Sequence, residues 1–194
     1  MSLQCKVVNF IEPQLSGAIL LDQISVLRER YGQAKIDAAI AALDPQDRAE
    51  LSGLLAMSWC RAELAMRFKN ALAKVVDVPP LELQRFVSSA GIERTVKGVW
   101  RFLLKQLWDD ALMRRVPMIY SRTFNHGDLR AEDVSSRGAR FVLTGWPTIP
   151  DYDAHGLSYG IESILNVAGR ARAKVSWKRE AAEVVFTATW SAKA

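Results

Sequence analysis

The sequence predicts an α+β domain in which a helical N-terminal part packs on a small, mostly antiparallel sheet. Three observations predict it. Apolar residues recur at helical spacing as far as Met113. At Val116 the pattern turns β-branched and aromatic. Near the end, two runs alternate apolar with polar side chains, Ala171 to Lys178 and Glu183 to Trp190, which is the pattern of a β-hairpin packed on one face. The 194 residues fit one domain, 1–194, with a helical part over 14–113 and a sheet-forming part over 116–191.

Taken in order, Leu3 to Ile11 alternate weakly and read as a short strand or extended arm, ended by Pro13. Ser16 is placed to cap a helix whose face is Leu20, Ile24, Leu27 and Tyr31, and Gly32 stands where a helix stops. Ile36, Ala39, Ile40 and Leu43 mark a shorter helix. Asp44-Pro45 restarts the chain as cap and first helical residue of a helix carrying Leu51, Leu54 and Leu55. Ser58 is the expected cap of the next helix, with Leu64, Phe68, Ala71, Leu72 and Val75 on its face, and Pro79-Pro80 breaks it. Leu81 to Ala90 reads as a short helix that Gly91 separates from a long one.

That long helix, Ile92 to Met113, organises the chain. One apolar stripe is Ile92, Val96, Val99, Leu103 and Leu107; a second is Trp100, Leu104, Trp108 and Ala111. A helix at the edge of one core needs a single stripe. Two stripes predict a centrally buried helix, a helix shared with a second subunit, or a cavity wall. Trp100, Leu104, Trp108 and Phe141 are therefore the candidate ligand-binding or interface residues. Three large apolar side chains on one open face exceed what a monomer leaves to water, so either the N-terminal helices or a two-fold copy of this helix in a homodimer covers them.

Beyond it, Val116 to Phe124 and Ala139 to Trp146 read as strands, with a turn and a polar segment between them. Asp151 or Asp153 is placed to cap a helix carrying Leu157, Ile161, Ile164, Leu165 and Ala168, which Gly169 stops. The hairpin follows.

Composition narrows the function. The chain is 49% hydrophobic and 24% charged, with no low-complexity tract and no charge-free run long enough to span a bilayer. The start, MSLQCKVVNF, lacks the features of a secretory signal, and Cys5 and Cys60 make no disulfide framework, so reduced thiols and a cytoplasmic location are expected. A net charge of +5 attracts nucleic acid only weakly. Arg172, Lys174 and Lys178 share a face read as a solvated one, with no aromatic residue interleaved, and nucleic-acid binding is not expected.

No catalytic constellation is visible. Asp151, Asp153 and His155 form a D-x-D-x-H run too short of ligands for a hard cation or zinc, and read as acids at a helix start. Asp109-Asp110 read as solvated, the serines and histidines lack a nucleophile elbow, and the glycines form no phosphate loop. No metal site is expected, and an enzyme is the lesser reading.

The order of elements resembles a ligand-binding fold shared by haem-dependent nitric-oxide sensor domains, small vinyl-reductase-type sensory domains and Bet3-like Golgi transport subunits. The residues that carry the likeness are VNFIEPQLSGAIL at the start, the long central helix, the GWPTIPDY link, HGLSYGIESIL and a final alternating strand ending in Trp190. In the same features the chain is similar to an uncharacterised myxobacterial paralogous family. The haem sensors imply a proximal histidine on a helix, and a motif alternating Tyr, Ser and Arg. Here the histidines are His126 and His155, outside the long helix, and Tyr120-Ser121-Arg122 are contiguous. On that ground no cofactor is expected and haem is argued against. The reading that follows is a non-enzymatic regulatory or adaptor module acting through protein contacts. The alternative is a sensor holding a small apolar or aromatic ligand between the long helix and the sheet.

Overall fold

The computed structural model describes residues 12–95 and 109–191. The fold is α+β. A short strand β1 (Gln14–Ser16) leads into α1 (Gly17–Tyr31), α2 (Gln33–Ala41) and α3 (Pro45–Ser52). Strand β2 (Trp59–Arg61) pairs antiparallel with β1, then come α4 (Ala62–Val76) and α5 (Pro80–Thr95). After the undescribed stretch come α6 (Asp109–Met113), α7 (Arg115–Thr123), β3 (Asp128–Glu132) and β4 (Gly138–Thr144). Helix α8 (Asp151–Val167) and the hairpin β5 (Lys174–Glu180) and β6 (Glu183–Thr189) complete the chain. The four C-terminal strands form one antiparallel sheet in the order β3-β4-β6-β5. One apolar cluster runs from the N-terminal helices to the inner face of that sheet.

Most helix boundaries fall where local chemistry puts them. Ser16 sits at the N-cap of α1 in extended conformation but its side chain accepts no capping hydrogen bond, and Gly32, with φ +84°, ends the helix. Asp44 caps α3 by accepting the Asp47 amide at 2.8 Å. Gly17 has a different task. A Cβ there would lie 2.2 Å from the Leu55 carbonyl oxygen, and the Gly17 amide donates to the Ser58 carbonyl at 2.8 Å. The start of α1 is thus pressed onto the loop between α3 and β2.

Several expectations are corrected. Val116 to Thr123 is helical, not a strand, and Phe124 alone is extended, bridging to Leu15. Its β-branched residues suggested extension, yet Val116, Ile119, Tyr120 and Thr123 repeat at helical spacing, and Pro117 falls in the first turn where it costs no hydrogen bond. In a helix, Tyr120, Ser121 and Arg122 spread around the axis, with Tyr120 alone of the three buried. The polar segment after His126 is strand β3, paired with β4 from Asp128↔Thr144 to Glu132↔Arg140. Ser58 caps no helix: its hydroxyl closes a turn by donating to the Leu55 carbonyl at 2.7 Å, and β2 intervenes before α4. Helix α5 runs through Gly91 to Thr95. Neither Asp151 nor Asp153 caps α8, whose N-cap is Pro150.

Of the long Ile92–Met113 helix, both ends are helical, in α5 and α6. Residues 96–108, and with them Trp100, Leu104 and Trp108, lie outside the described residues, as does the arm at Leu3 to Ile11. No helix among the described residues is long and apolar enough to cross a membrane.

A candidate ligand cavity among the helices

A cavity of about 150 Å³ lies among α1, α4, α5, α7 and α8, with Leu15 of β1 and Leu129 of β3 completing its wall. Helical repeat explains who faces it. From α4 come Ala62, Ala65 and Lys69, spaced i, i+3 and i+7. From α8 come Asp153, Gly156, Leu157, Gly160, Ile161 and Ile164 on one stripe. Small residues make the room: two alanines on α4 and two glycines on α8. A Cβ on Gly160 would meet nothing within 4 Å, whereas one on Gly156 would lie 2.1 Å from the Gln84 amide nitrogen. Gly156 therefore lets Gln84 of α5 close against the α8 backbone.

Within this apolar wall stand three buried polar side chains, of Lys69, Asp153 and Gln84, beside the buried Tyr120. Lys69 is 3% exposed, Asp153 7% and Gln84 5%. Burial pushes the Asp153 carboxyl up to about 6, with Lys69 pulling partly against it. Burial also lowers the Lys69 ammonium to about 8, with Asp153 and then Cys60 opposing. The two charges attract, but Lys69 makes no direct ion pair with Asp153; its Nζ lies over the Tyr152 ring, 5.2 Å from the centroid. The side-chain oxygens of Gln84 and Gln23, both in the cavity wall, find no donor among the described residues, and neither does the buried Tyr152 hydroxyl. Such an orphaned acceptor costs about 1–3 kcal/mol when nothing meets it. At the rim, Asp22 is matched by Arg94 at 3.2 Å.

The sequence-predicted residues divide. Phe141 is fully buried but lies in the sheet, opposite Phe186 on β6 and Ala131 on β3, and is absent from the described cavity wall. The D-x-D-x-H run separates. Asp151 pairs with Arg179 at 2.5 Å, Asp153 faces the cavity, and His155 accepts from the Trp177 indole at 3.4 Å. The side chains of Asp109 and Asp110 lie outside the described residues. Cys60 is buried, its thiol pushed up to about 11 by burial and then by Glu50, which leaves it protonated and unreactive. The basic face also divides: Lys174 and Lys178 are exposed on β5, whereas Arg172 precedes the strand with φ +57°.

Sequence reading passed over Lys69, Gln84, Gly156 and Gly160. Three of them carried a signal. Glycines at i and i+4 inside an apolar helix stripe cost stability in a helix interior and mark a close approach or a space. Lys69 on the Ala65–Leu72 side of α4 was a cation on a buried face. Gln84 carried none.

No protein-family model matches the sequence, and no curated protein matches it. Solved structures do. An H-NOX protein from K. algicida, in the Fe(II) unliganded state, superposes with a TM-score of 0.65 at 13% identity, over 91% of this chain and 97% of that one. A structure from work on haem distortion in the H-NOX family gives a TM-score of 0.59 at 14% identity, over 93% and 97%. An oxygen-binding H-NOX domain related to soluble guanylate cyclases gives 0.56 at 15% identity, over 93% and 96%. The fold is therefore that of the nitric-oxide-sensor type the element order resembled. This corrects the expectation that no cofactor enters and that haem is to be argued against: the fold's neighbours include structures solved for their haem, so haem is a cofactor to be tested here. Of the residue types that hold haem iron, the described wall presents Tyr120, whose hydroxyl donates to the His126 carbonyl. His126 packs edge-on against Trp146, 5.4 Å between ring centroids, and neither it nor His155 is in that wall. The described residues alone do not complete a haem site. They do build a buried, largely apolar chamber with its own polar groups, in a fold shared with H-NOX domains.

Proposed function

We propose that this chain forms a sensor domain that holds a small molecule in the cavity among α1, α4, α5, α7 and α8. The observation that carries the reading is the chamber itself: an apolar wall opened by alanines and glycines, with the buried side-chain oxygens of Gln84 and Gln23 finding no partner among the described residues. The likeness to H-NOX domains supports this reading above that of an adaptor. Among the described residues the chamber is walled by helices, with Leu129 of the sheet and Ile92 of the predicted long helix in its wall and Phe141 outside it. Native mass spectrometry and absorbance of the purified protein test it. A co-purifying mass supports the proposal, and an intense Soret band identifies that mass as haem. An apo mass that gains nothing from a library of small apolar compounds refutes it.

A second reading, the protein-contact module, is favoured by one observation. Leu55, Met57 and Trp59 stand exposed on one loop and strand start, Met57 at 90%. Pull-down from native lysate with and without Met57→Ser and Trp59→Ser tests it. The homodimer through Trp100, Leu104 and Trp108 and the likeness to a myxobacterial family rest on the sequence pattern.

A further inference from the structure

Resting on the sensor reading, we infer that the ligand of this cavity is a neutral molecule of single-ring size bearing a hydroxyl, held at that end by Lys69, Asp153 and Gln84. Three features lead there. The first is size. A space of about 150 Å³ matches cavities of about that volume that take up benzene, and falls below the ~300 Å³ where drug-sized ligands begin.

The second is charge. Within the described wall Lys69 and Asp153 balance each other, and at the rim Asp22 shares Arg94 with Glu29. A charged ligand would leave one net charge in a low-dielectric chamber, which is costly; a neutral one leaves none.

The third is hydrogen bonding. Asp153 and Gly156 are three residues apart on α8, so they lie on one face in adjacent turns, and the Gln84 amide rests against Gly156. Gln84 and Asp153 thus meet at one end of the chamber, with Lys69 attracted to Asp153 from α4. That end holds an acceptor without a donor among the described residues, the Gln84 carbonyl oxygen, together with the Lys69 ammonium, which is attracted to Asp153 and lies over the Tyr152 ring. A hydroxyl donates and accepts at once, so it meets an orphan acceptor and a Lys69 proton with a single group. A hydrocarbon meets neither, and a carboxylate only accepts while adding charge beside Asp153.

Isothermal titration of the full chain with phenol, toluene and benzoate tests this. Phenol is expected to bind at least about tenfold more tightly than toluene, the worth of one charge-assisted hydrogen bond, with benzoate weakest. Lys69→Met and Gln84→Leu, each checked by circular dichroism, should bring phenol and toluene to within about threefold of each other. Gly160→Leu, which fills the open space beside α8, should abolish both. Equal binding of phenol and toluene, or tightest binding of benzoate, overturns the hydroxyl inference and leaves the sensor reading standing. So does a chain that purifies with stoichiometric haem. Failure of phenol and toluene alike, in a protein that carries no other mass, overturns both.

Discussion

Replacing Asp153 with Asn should change how stability depends on pH, and the size of the change follows from the cavity. Asp153 is buried beside an apolar wall and lifted from the ordinary 3.8 to about 6. The folded protein therefore holds a proton on this carboxyl more firmly than the unfolded chain does. Between about pH 4 and pH 6 the folded state carries the extra proton, so stability falls as pH rises through that interval. The stabilisation is fully present below pH 3.8 and lost above about 6, and it amounts to about 3 kcal/mol. Lys69 works from the other side. Its ammonium is lowered to about 8, so its contribution is present above the ordinary 10.5 and lost as pH falls through 8. The two together place the least favourable ionisation of the cavity near neutrality, where both charges are buried. Other groups facing the pair, Tyr120, Tyr152 and Cys60, are all raised and stay neutral there. Exposed acids such as Asp44 and Glu180 are lowered and slope the whole curve the opposite way, so the quantity to measure is a difference. Urea unfolding of wild type and Asp153→Asn at pH 4, 5, 6 and 7 gives it. The stability of the wild type relative to the variant should fall by about 2.4 kcal/mol across the series, part of the full effect being lost already at pH 4. A flat difference would refute burial as the cause of the raised carboxyl.

The glycines of α8 should respond in opposite directions. Gly160→Ala is expected to stabilise by about 0.5–1 kcal/mol, since it gains helix propensity in open space, while Gly156→Ala should destabilise by about 1–3 kcal/mol by displacing Gln84; chemical denaturation of both variants compares them. Phe141→Ala should cost about 3–5 kcal/mol as a core deletion while leaving toluene binding intact in the folded fraction. Leu104→Asp should give a folded monomer with an unchanged circular dichroism spectrum if the second stripe is a subunit contact, and an unfolded chain if it is core. A wild type that sediments as a monomer at high micromolar concentration would end the dimer reading.

Legibility in the sequence followed the range of the interactions involved. Asp44-Pro45 and Gly32 act within a few residues, and their helix ends stand where they were expected. The β5–β6 hairpin was readable because alternation against one buried face is a local pattern, although the pairing runs further, from Lys174↔Thr189 to Glu180↔Glu183. Val116 to Phe124 misled because β-branched residues favour a strand on a weak preference, and burial of Val116 and Tyr120 on one helical face outweighs it. Strand β3 was hidden in polar residues because it is an edge strand, with Asp128, Arg130 and Glu132 turned to solvent. The cavity was the least legible feature. It is made by residues from five helices distant in the chain, and a void leaves no mark on the periodicity of any one of them. Asp153 was read as a helix-start acid because its neighbourhood in sequence fits that role, while its neighbourhood in space includes Lys69 from α4.

The contact at Gly17 ties two parts of the molecule mechanically. Helix α1 brings Ile19 and Gln23 to the cavity wall, and its first residue is clamped between the Leu55 and Ser58 carbonyls with no room for a side chain. On the outer side of the same turn stand Leu55 and Met57, open to solvent. A rotation of α1 has no slack to absorb at its N-terminus. Any rotation of the helix would therefore press first on this turn and the exposed side chains it carries.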